Sequence, residues 1–406
     1  MTYTVHDLRS HPLRTLYLIY QALSTALVRI PWWILIYLPR RFRQRPSWSL
    51  QKAVMMRLVE HMQGVTSRTD TFRIVGDHLR PSSGRGVKQI WIEPVSGDLV
   101  SDQLRVWMEA GHVAPAHIPA YWIDKKGLES TPAGALASPS ERILLYLHGG
   151  AYVRFSASPK DVIANNAKGI LENAPSVTRA LSVEYRLSKG RPEVPANAFP
   201  AALLDALAAY IYLVRTVNVS PENIVITGDS AGANLAHALT RYLVENVPTG
   251  SGLPPVPGAL LLLSPWADLS NSHAATWNPA QNADYLGGPD APLNKYARRA
   301  FLGPHGEDGA LSRYVSPASI NPRAEEASFV GFPRTMIIAG GAESLIRSIT
   351  TLTERMRRDL GDQLTYYEAK DAVHDFLVFE FWEPERTETL KAIAEWIESA
   401  DAQALY

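Results

Sequence analysis

The chain has 406 residues, 46% hydrophobic and 20% charged, ordinary values that exclude a disordered chain, a collagen and a small disulfide scaffold. It contains no cysteine, which excludes disulfides, a thiolate nucleophile and Cys-ligated metal sites but no compartment. Lys plus Arg and Asp plus Glu number 40 each, and a net charge of zero gives no general attraction to nucleic acid or to a membrane surface.

The charge is nonetheless split along the chain. Residues 1–50 carry +6, from seven Arg against Asp7 alone, and the remainder carries −6. Within that basic end, residues 15–39 (TLYLIYQALSTALVRIPWWILIYLP) hold a single charge, Arg29, and Arg40, Arg41, Arg43 and Arg45 follow at once. A helix of this length crosses a hydrocarbon layer of ~30 Å, and Trp32, Trp33, Tyr37 and Trp48 suit an interfacial belt. Arg29 opposes a plain span by about 2.5–3.5 kcal/mol, and Pro31 removes a helix hydrogen bond beside it. A secretory signal fits poorly, because the apolar run is too long and no small-x-small site follows. A spanning helix, a helix lying in the interface and a buried helix packed on the body stay open at this point. The expectation is membrane association through residues 12–45, with the endoplasmic reticulum as the membrane. For a spanning helix the four Arg after it favour a cytoplasmic body, and Arg9 and Arg14 weaken that preference.

Residues 46–85 read as helix and connector, with SWSLQKAVMMRLVEHM at helical spacing behind Ser47 or Ser49 as cap. Strands are expected at 89–95, 116–124, 142–149, 179–187, 223–228, 259–265, 334–340 and 364–370. Several are continuous apolar runs, which suits strands covered on both faces. Helices are expected at 161–172, 201–216, 231–245, 343–360 and 387–400, and strand–helix alternation implies right-handed βαβ units in a mostly parallel sheet. Residues 268–316 show little strand pattern; a stretch that long is a lid or carries its own helices, one of them over 291–301.

Gly228-Asp229-Ser230-Ala231-Gly232 is G-x-S-x-G, and its setting between the strand NIVITG and the helix ANLAHALTRYL makes it a nucleophile elbow. Flanking glycines relieve the clashes of so tight a turn. The helix N-terminus behind Ser230 favours developing negative charge. His148-Gly149-Gly150-Ala151-Tyr152 follows an earlier strand, and the N–H groups of Gly149, Gly150 and Ala231 are expected to form an oxyanion hole.

A serine needs a base, and the base an acid that fixes its tautomer. The order in α/β-hydrolases is Ser, acid, His. His374, in AKDAVHDF after the last strand, takes the place of the base, while His305 reads as a surface residue and His237 as a helix residue. Glu343, ending the seventh strand in MIIAGGAESL, takes the place of the acid. Asp371 and Asp375 are its rivals, but neighbours so close in sequence do not easily curl back onto the same imidazole.

These motifs, with VEYRLS (183–188), FPAALLDALAAY (199–210), LSPWADLS (263–270) and YVSP (314–317), resemble the hormone-sensitive-lipase group of α/β-hydrolases from about residue 142 to 376. The resemblance implies an eight-stranded α/β-hydrolase sheet flanked by helices, with a helical cap, and a triad of Ser230, Glu343 and His374. Two departures are Ala151, where the group usually has a third glycine, and Glu343, where it usually has Asp. GGAESL and the apolar N-terminus also resemble fungal steryl acetyl hydrolases and secondary-metabolite esterases. The organisation expected is a membrane-associating segment over 1–45, a helical cap or connector over 46–85, and a catalytic domain over 86–406 with 268–316 as a lid insert. The activity expected is hydrolysis of a carboxylic ester, a short acyl group on a bulky apolar alcohol such as a sterol, terpenoid or polyketide. No cofactor or metal is expected, and the partners are a small-molecule ester and a membrane, not nucleic acid. Acyl transfer by the same triad is the alternative. A ligand-binding receptor on a dead hydrolase fold is disfavoured by the presence of His374. The sequon Asn218-Val219-Ser220 is informative only in a lumenal domain.

Overall fold

The computed structural model describes residues 8–69, 76–80, 82, 84, 87–278 and 283–403. All eight expected strands form, as β1 (Lys88–Ile92), β2 (Ile118–Asp124), β3 (Arg142–Leu147), β4 (Val177–Val183), β5 (Ile224–Asp229), β6 (Ala259–Leu263), β7 (Arg334–Gly340) and β8 (Leu364–Ala369). They make one sheet in the order β1-β2-β4-β3-β5-β6-β7-β8, antiparallel only where β2 meets β1 and β4.

Alternate side chains of the central strands enter two different cores. Ile143, Leu145, Ile226 and Leu262 point into one, and Leu144, Val225, Leu261 and Met336 into the other. Both faces are covered by helices, which is why these strands read as unbroken apolar runs rather than alternating ones. α5 (Ala201–Arg215), α6 (Ala231–Asn246) and α8 (Ile346–Leu360) cover the first face, and α4 (Asn165–Asn173) and α9 (Glu385–Gln403) the second. α3 (Asp102–Gly111) is not among the expected elements; Ser101 caps it by accepting from the N–H of Leu104, and left-handed His112 ends it. Leu104 and Gly111 are buried, and Trp107 and Met108 pack partly buried against the first core.

The N-terminal run forms α1 (Leu13–Tyr37), long and apolar enough by length and composition to cross a membrane. Pro31 does not break it. The turn before it, Thr25–Arg29, widens to a π-helix in which the N–H of Ile30 donates to the carbonyl of Thr25, so the helix runs on past the proline ring. The guanidinium of Arg29 donates to Ser24 Oγ and lies 5.6 Å from the ring of Tyr20, on its own helix.

α2 (Leu50–Thr69) joins this helix to the body. Its His61 meets Thr25 Oγ1 at 3.0 Å and the edge of Trp33 at 5.8 Å. Just before α2, buried Trp48 packs edge-on against Trp382, and its Nε1–H donates to the carbonyl of Asp371 at 2.7 Å. Part of the expected 46–85 connector, including residues 70–75, lies outside the described residues.

Candidate active site

Ser230 sits between β5 and α6 with φ 53° and ψ −116°. For a residue with a side chain this conformation costs about 1–3 kcal/mol and persists only where the surroundings over-determine it. Here its N–H donates to the carbonyl of Leu263 at 2.9 Å, and its own carbonyl accepts from Trp266 at 3.0 Å and Asn234 at 3.1 Å. Gly228 and Gly232 are required by close approach: a Cβ on Gly228 would lie 2.4 Å from the backbone of Gly232, and one on Gly232 2.0 Å from the carbonyl oxygen of Leu147.

The structure brings Ser230 and His374 to the wall of one cavity of about 460 Å³, together with Gly150 and Ala151. His374, in the loop after β8, is buried, and its Nδ1 lies 2.8 Å from Oε2 of Glu343. Glu343 occupies the turn between β7 and α8; the helix starts at Ile346 and not at 343 as expected, which leaves the carboxylate in the turn. Its Oε1 accepts from the N–H of Gly340 at 2.9 Å, so both oxygens are engaged and the side chain is fully buried. Burial pushes the carboxyl of Glu343 up to about 7, against the pull of His374. Burial by itself would lower the imidazole, but Asp375 and then Glu343 hold His374 well above the usual histidine range.

Two readings of the sequence are corrected here. Gly149 is not an oxyanion donor: its N–H donates to Oδ2 of buried Asp229 at 3.0 Å. The cavity is lined instead by Gly150, at φ 112°, and Ala151, at φ 55°. The N–H of Ala231, first residue of α6, is one of those an α-helix leaves without an internal partner. The second correction concerns Asp375, whose Oδ2 lies 3.1 Å from Nε2 of His374. A left-handed backbone, φ 48°, folds its side chain back onto the preceding ring, which the argument from adjacency had discounted.

Sequence reasoning also missed the residues that hold these loops. Asp229 accepts from Tyr146 Oη at 2.5 Å as well as from Gly149, joining the His148–Tyr152 loop to the elbow. Asn234 accepts from Tyr152 Oη at 2.8 Å and donates to the carbonyls of Trp266 and Val315 at 3.0 and 2.9 Å, joining four chain segments. The signal for Asp229 was its place as the x of G-x-S-x-G; Asn234, one turn into α6, carried none. His237 is buried against Phe332 and kept neutral by burial and Arg241, and His305 meets the carbonyl of Phe199 at 2.8 Å. Among the described residues, no group of three or more His, Asp or Glu is placed to hold a metal ion.

The far walls of the cavity come from two segments outside the sheet. α2 contributes Leu58, Val59 and Met62, and the 268–316 segment contributes Trp277, Tyr285 and Leu293, the last from α7 (Pro292–Leu302).

Comparison with known proteins agrees with this fold. The chain is 29% identical over 252 residues to an acetyl-hydrolase of Streptomyces hygroscopicus, covering 62% of this chain and 73% of that protein. It is 28% identical over 272 residues to the esterase LipU of Mycobacterium tuberculosis, covering 65% and 80%. The crystal structure of the hormone-sensitive-lipase homologue EstE7 from a metagenome library aligns with a TM-score of 0.56 at 25% identity, over 85% of this chain and 97% of that one. The family model described as the alpha/beta hydrolase fold matches residues 144–378, more than half of the chain and the whole of the Gly149-to-His374 site. The chain therefore belongs to the alpha/beta hydrolase fold family, in its hormone-sensitive-lipase-like group.

Proposed function

We propose that this protein is a serine esterase in which Ser230 is the nucleophile, His374 the general base and Glu343 the acid that orients it. Its class as a carboxylic ester hydrolase follows from the family and from the esterases it resembles; the residues, the acyl-enzyme and the substrate are the proposal. The observation that carries it is the strained Ser230 opening on the same cavity as the buried His374–Glu343 pair. Ser230 Oγ attacks the acyl carbon while Nε2 of His374 takes its proton, and Glu343 stabilises the imidazolium. The N–H groups of Gly150, Ala151 and Ala231 receive the oxyanion, each worth about 3–4 kcal/mol in the transition state. His374 then protonates the leaving alcohol and activates the water that releases the acid.

The cavity favours a bulky apolar alcohol. Leu58, Met62, Trp277, Tyr285 and Phe379 line it, and about 460 Å³ lies within the range that holds a drug-sized ligand. In this reading α2 and the 268–316 segment act as cap and lid, and a small acyl group occupies the oxyanion side, as the acetyl-hydrolase relative suggests. A fluorophosphonate probe is expected to add to Ser230, located by peptide mass, and to abolish turnover of p-nitrophenyl acetate in proportion to labelling. Full labelling with undiminished turnover would sink the mechanism.

The N-terminal helix is read as a membrane anchor. Only 11% of its apolar window is buried, and Leu16, Ile19, Leu23, Leu27 and Leu35 face outward. At 1.5 Å per residue it is about 37 Å long, enough to span, and exposed Arg40 and Arg41 follow where headgroups would lie. Full-length protein is expected to sediment with membranes and to resist both high salt and alkaline carbonate. Recovery of the full-length chain in the soluble fraction would refute the anchor.

A further inference from the structure

The side of the imidazole that must serve Ser230 is already occupied. Nε2 of His374 is 3.1 Å from Oδ2 of Asp375. The Asp375 side chain is 7% exposed, lines the cavity, and its Oδ1 has no hydrogen-bond partner among the described residues. The residue is held there: its N–H donates to Ser264 Oγ at 3.2 Å, its carbonyl accepts from Val378 at 3.0 Å, and Phe376 beside it is buried.

With Glu343 on Nδ1 and Asp375 on Nε2, each ring nitrogen faces a carboxylate. A carboxylate facing a nitrogen lone pair repels it, whereas one facing an N–H attracts it, so this geometry belongs to the doubly protonated ring. We infer that Asp375 is a positioning residue that clamps His374 as imidazolium in the resting enzyme and sets the pH at which the base becomes available. This rests on the reading of His374 as general base. An imidazolium has no lone pair for the proton of Ser230 Oγ. Activity requires that the Nε2 proton first be lost to solvent, leaving a neutral ring with Nδ1–H on Glu343 and a lone pair toward Ser230.

The groups around the ring favour the charged form. Glu343 comes from the β7–α8 turn, Asp284 and Tyr285 from the 268–316 segment, and Asp229 with Tyr146 from β5 and β3. Arg154, in the loop after β3, brings a positive charge that acts on Tyr285, and Lys295, Arg298 and Arg347 line the same cavity. Burial lowers the imidazole, but Asp375, through charge and hydrogen bond, is the largest of the contributions that raise it above the usual range.

The sign follows directly. kcat/KM rises with pH as free His374 loses its proton, and the clamp places this acid limb alkaline of an ordinary histidine. Asp375→Asn keeps the shape, removes the charge, and tolerates a left-handed backbone. It is expected to move the acid limb of kcat/KM for p-nitrophenyl acetate to lower pH by about one unit or more. Well below the wild-type limb the variant then retains about tenfold more of its own plateau rate, with KM little changed. Asp371→Asn, at a carboxylate that faces Arg45 and Ser47, leaves the limb in place. Superimposable limbs for wild type and Asp375→Asn, or a uniform loss at every pH without a shift, overturn the clamp. Should that variant not fold, the pH dependence of fluorophosphonate labelling of wild-type Ser230 decides. A midpoint of the labelling rate clearly above the ordinary histidine value of about 6.5 supports the clamp, and a midpoint at or below that value overturns it. Undiminished turnover by Ser230→Ala would instead remove the esterase reading and leave no base to clamp, so the two failures are distinguishable.

Discussion

Replacing Glu343 by glutamine is expected to lower kcat for p-nitrophenyl acetate by about 10³- to 10⁴-fold, with KM changed only a few-fold. Both carboxylate oxygens are in use, Oε2 on Nδ1 of His374 and Oε1 on the N–H of Gly340. An amide satisfies only one of them. If its oxygen faces Nδ1, its NH₂ meets the N–H of Gly340, donor against donor. If it turns round, the NH₂ faces Nδ1 and forces the ring proton onto Nε2, the wrong tautomer for accepting from Ser230. Bulk solvent reaches neither arrangement, because Glu343 is fully buried. Retention of more than about a tenth of wild-type kcat would return the acid role to another carboxylate, and Asp375 would be first in line.

The largest effect on folding is expected at Gly232. The Cβ of Gly232→Ala would lie 2.0 Å from the carbonyl oxygen of Leu147 and 2.6 Å from that of His148, both backbone atoms. β3, which Leu147 ends, is bonded on both sides, to β4 and to β5, so it cannot retreat without breaking a ladder. The loss is expected to exceed about 3 kcal/mol, seen as collapse of soluble yield or a marked fall in Tm. Gly64→Ala is the matched control. A Cβ there, inside α2, meets nothing within 4 Å among the described residues, and it is expected to stabilise by about 0.5–1 kcal/mol through lost backbone freedom in the unfolded chain. Equal Tm values for the two variants would show that the tightness of the elbow is not what demands glycine there.

Much of the fold was legible because local pattern and burial coincide. The central parallel strands β3, β5, β6 and β7 are buried nearly throughout and left apolar runs, while β8, partly exposed from Thr365 to Glu368, was legible from its place after α8. The three triad candidates were legible because each ends a strand or follows one, where backbone chemistry marks it. α3 was not, although Leu104, Trp107, Met108 and Gly111 fall at helical spacing behind the cap Ser101; its run is only ten residues long. Nor was the passage of α1 through Pro31, since widening one turn by a residue leaves no trace in hydropathy.

The amino-acid sequence by itself determined the chemistry available. It lacks cysteine, sets one serine in a strand–turn–helix, orders Ser230 before Glu343 before His374, and concentrates positive charge at an apolar terminus. These are properties of residue type and spacing, and spacing along the chain is what a sequence records. The tertiary structure alone decided which atoms meet. It turned the N–H of Gly149 inward to Asp229, leaving Gly150 and Ala151 on the cavity. It folded Asp375 onto the imidazole through one left-handed residue, and it closed the cavity with α2 and the 268–316 segment. Hydrogen-bond partnership depends on direction within a few tenths of an ångström, and direction is set by packing between segments that the linear order keeps far apart.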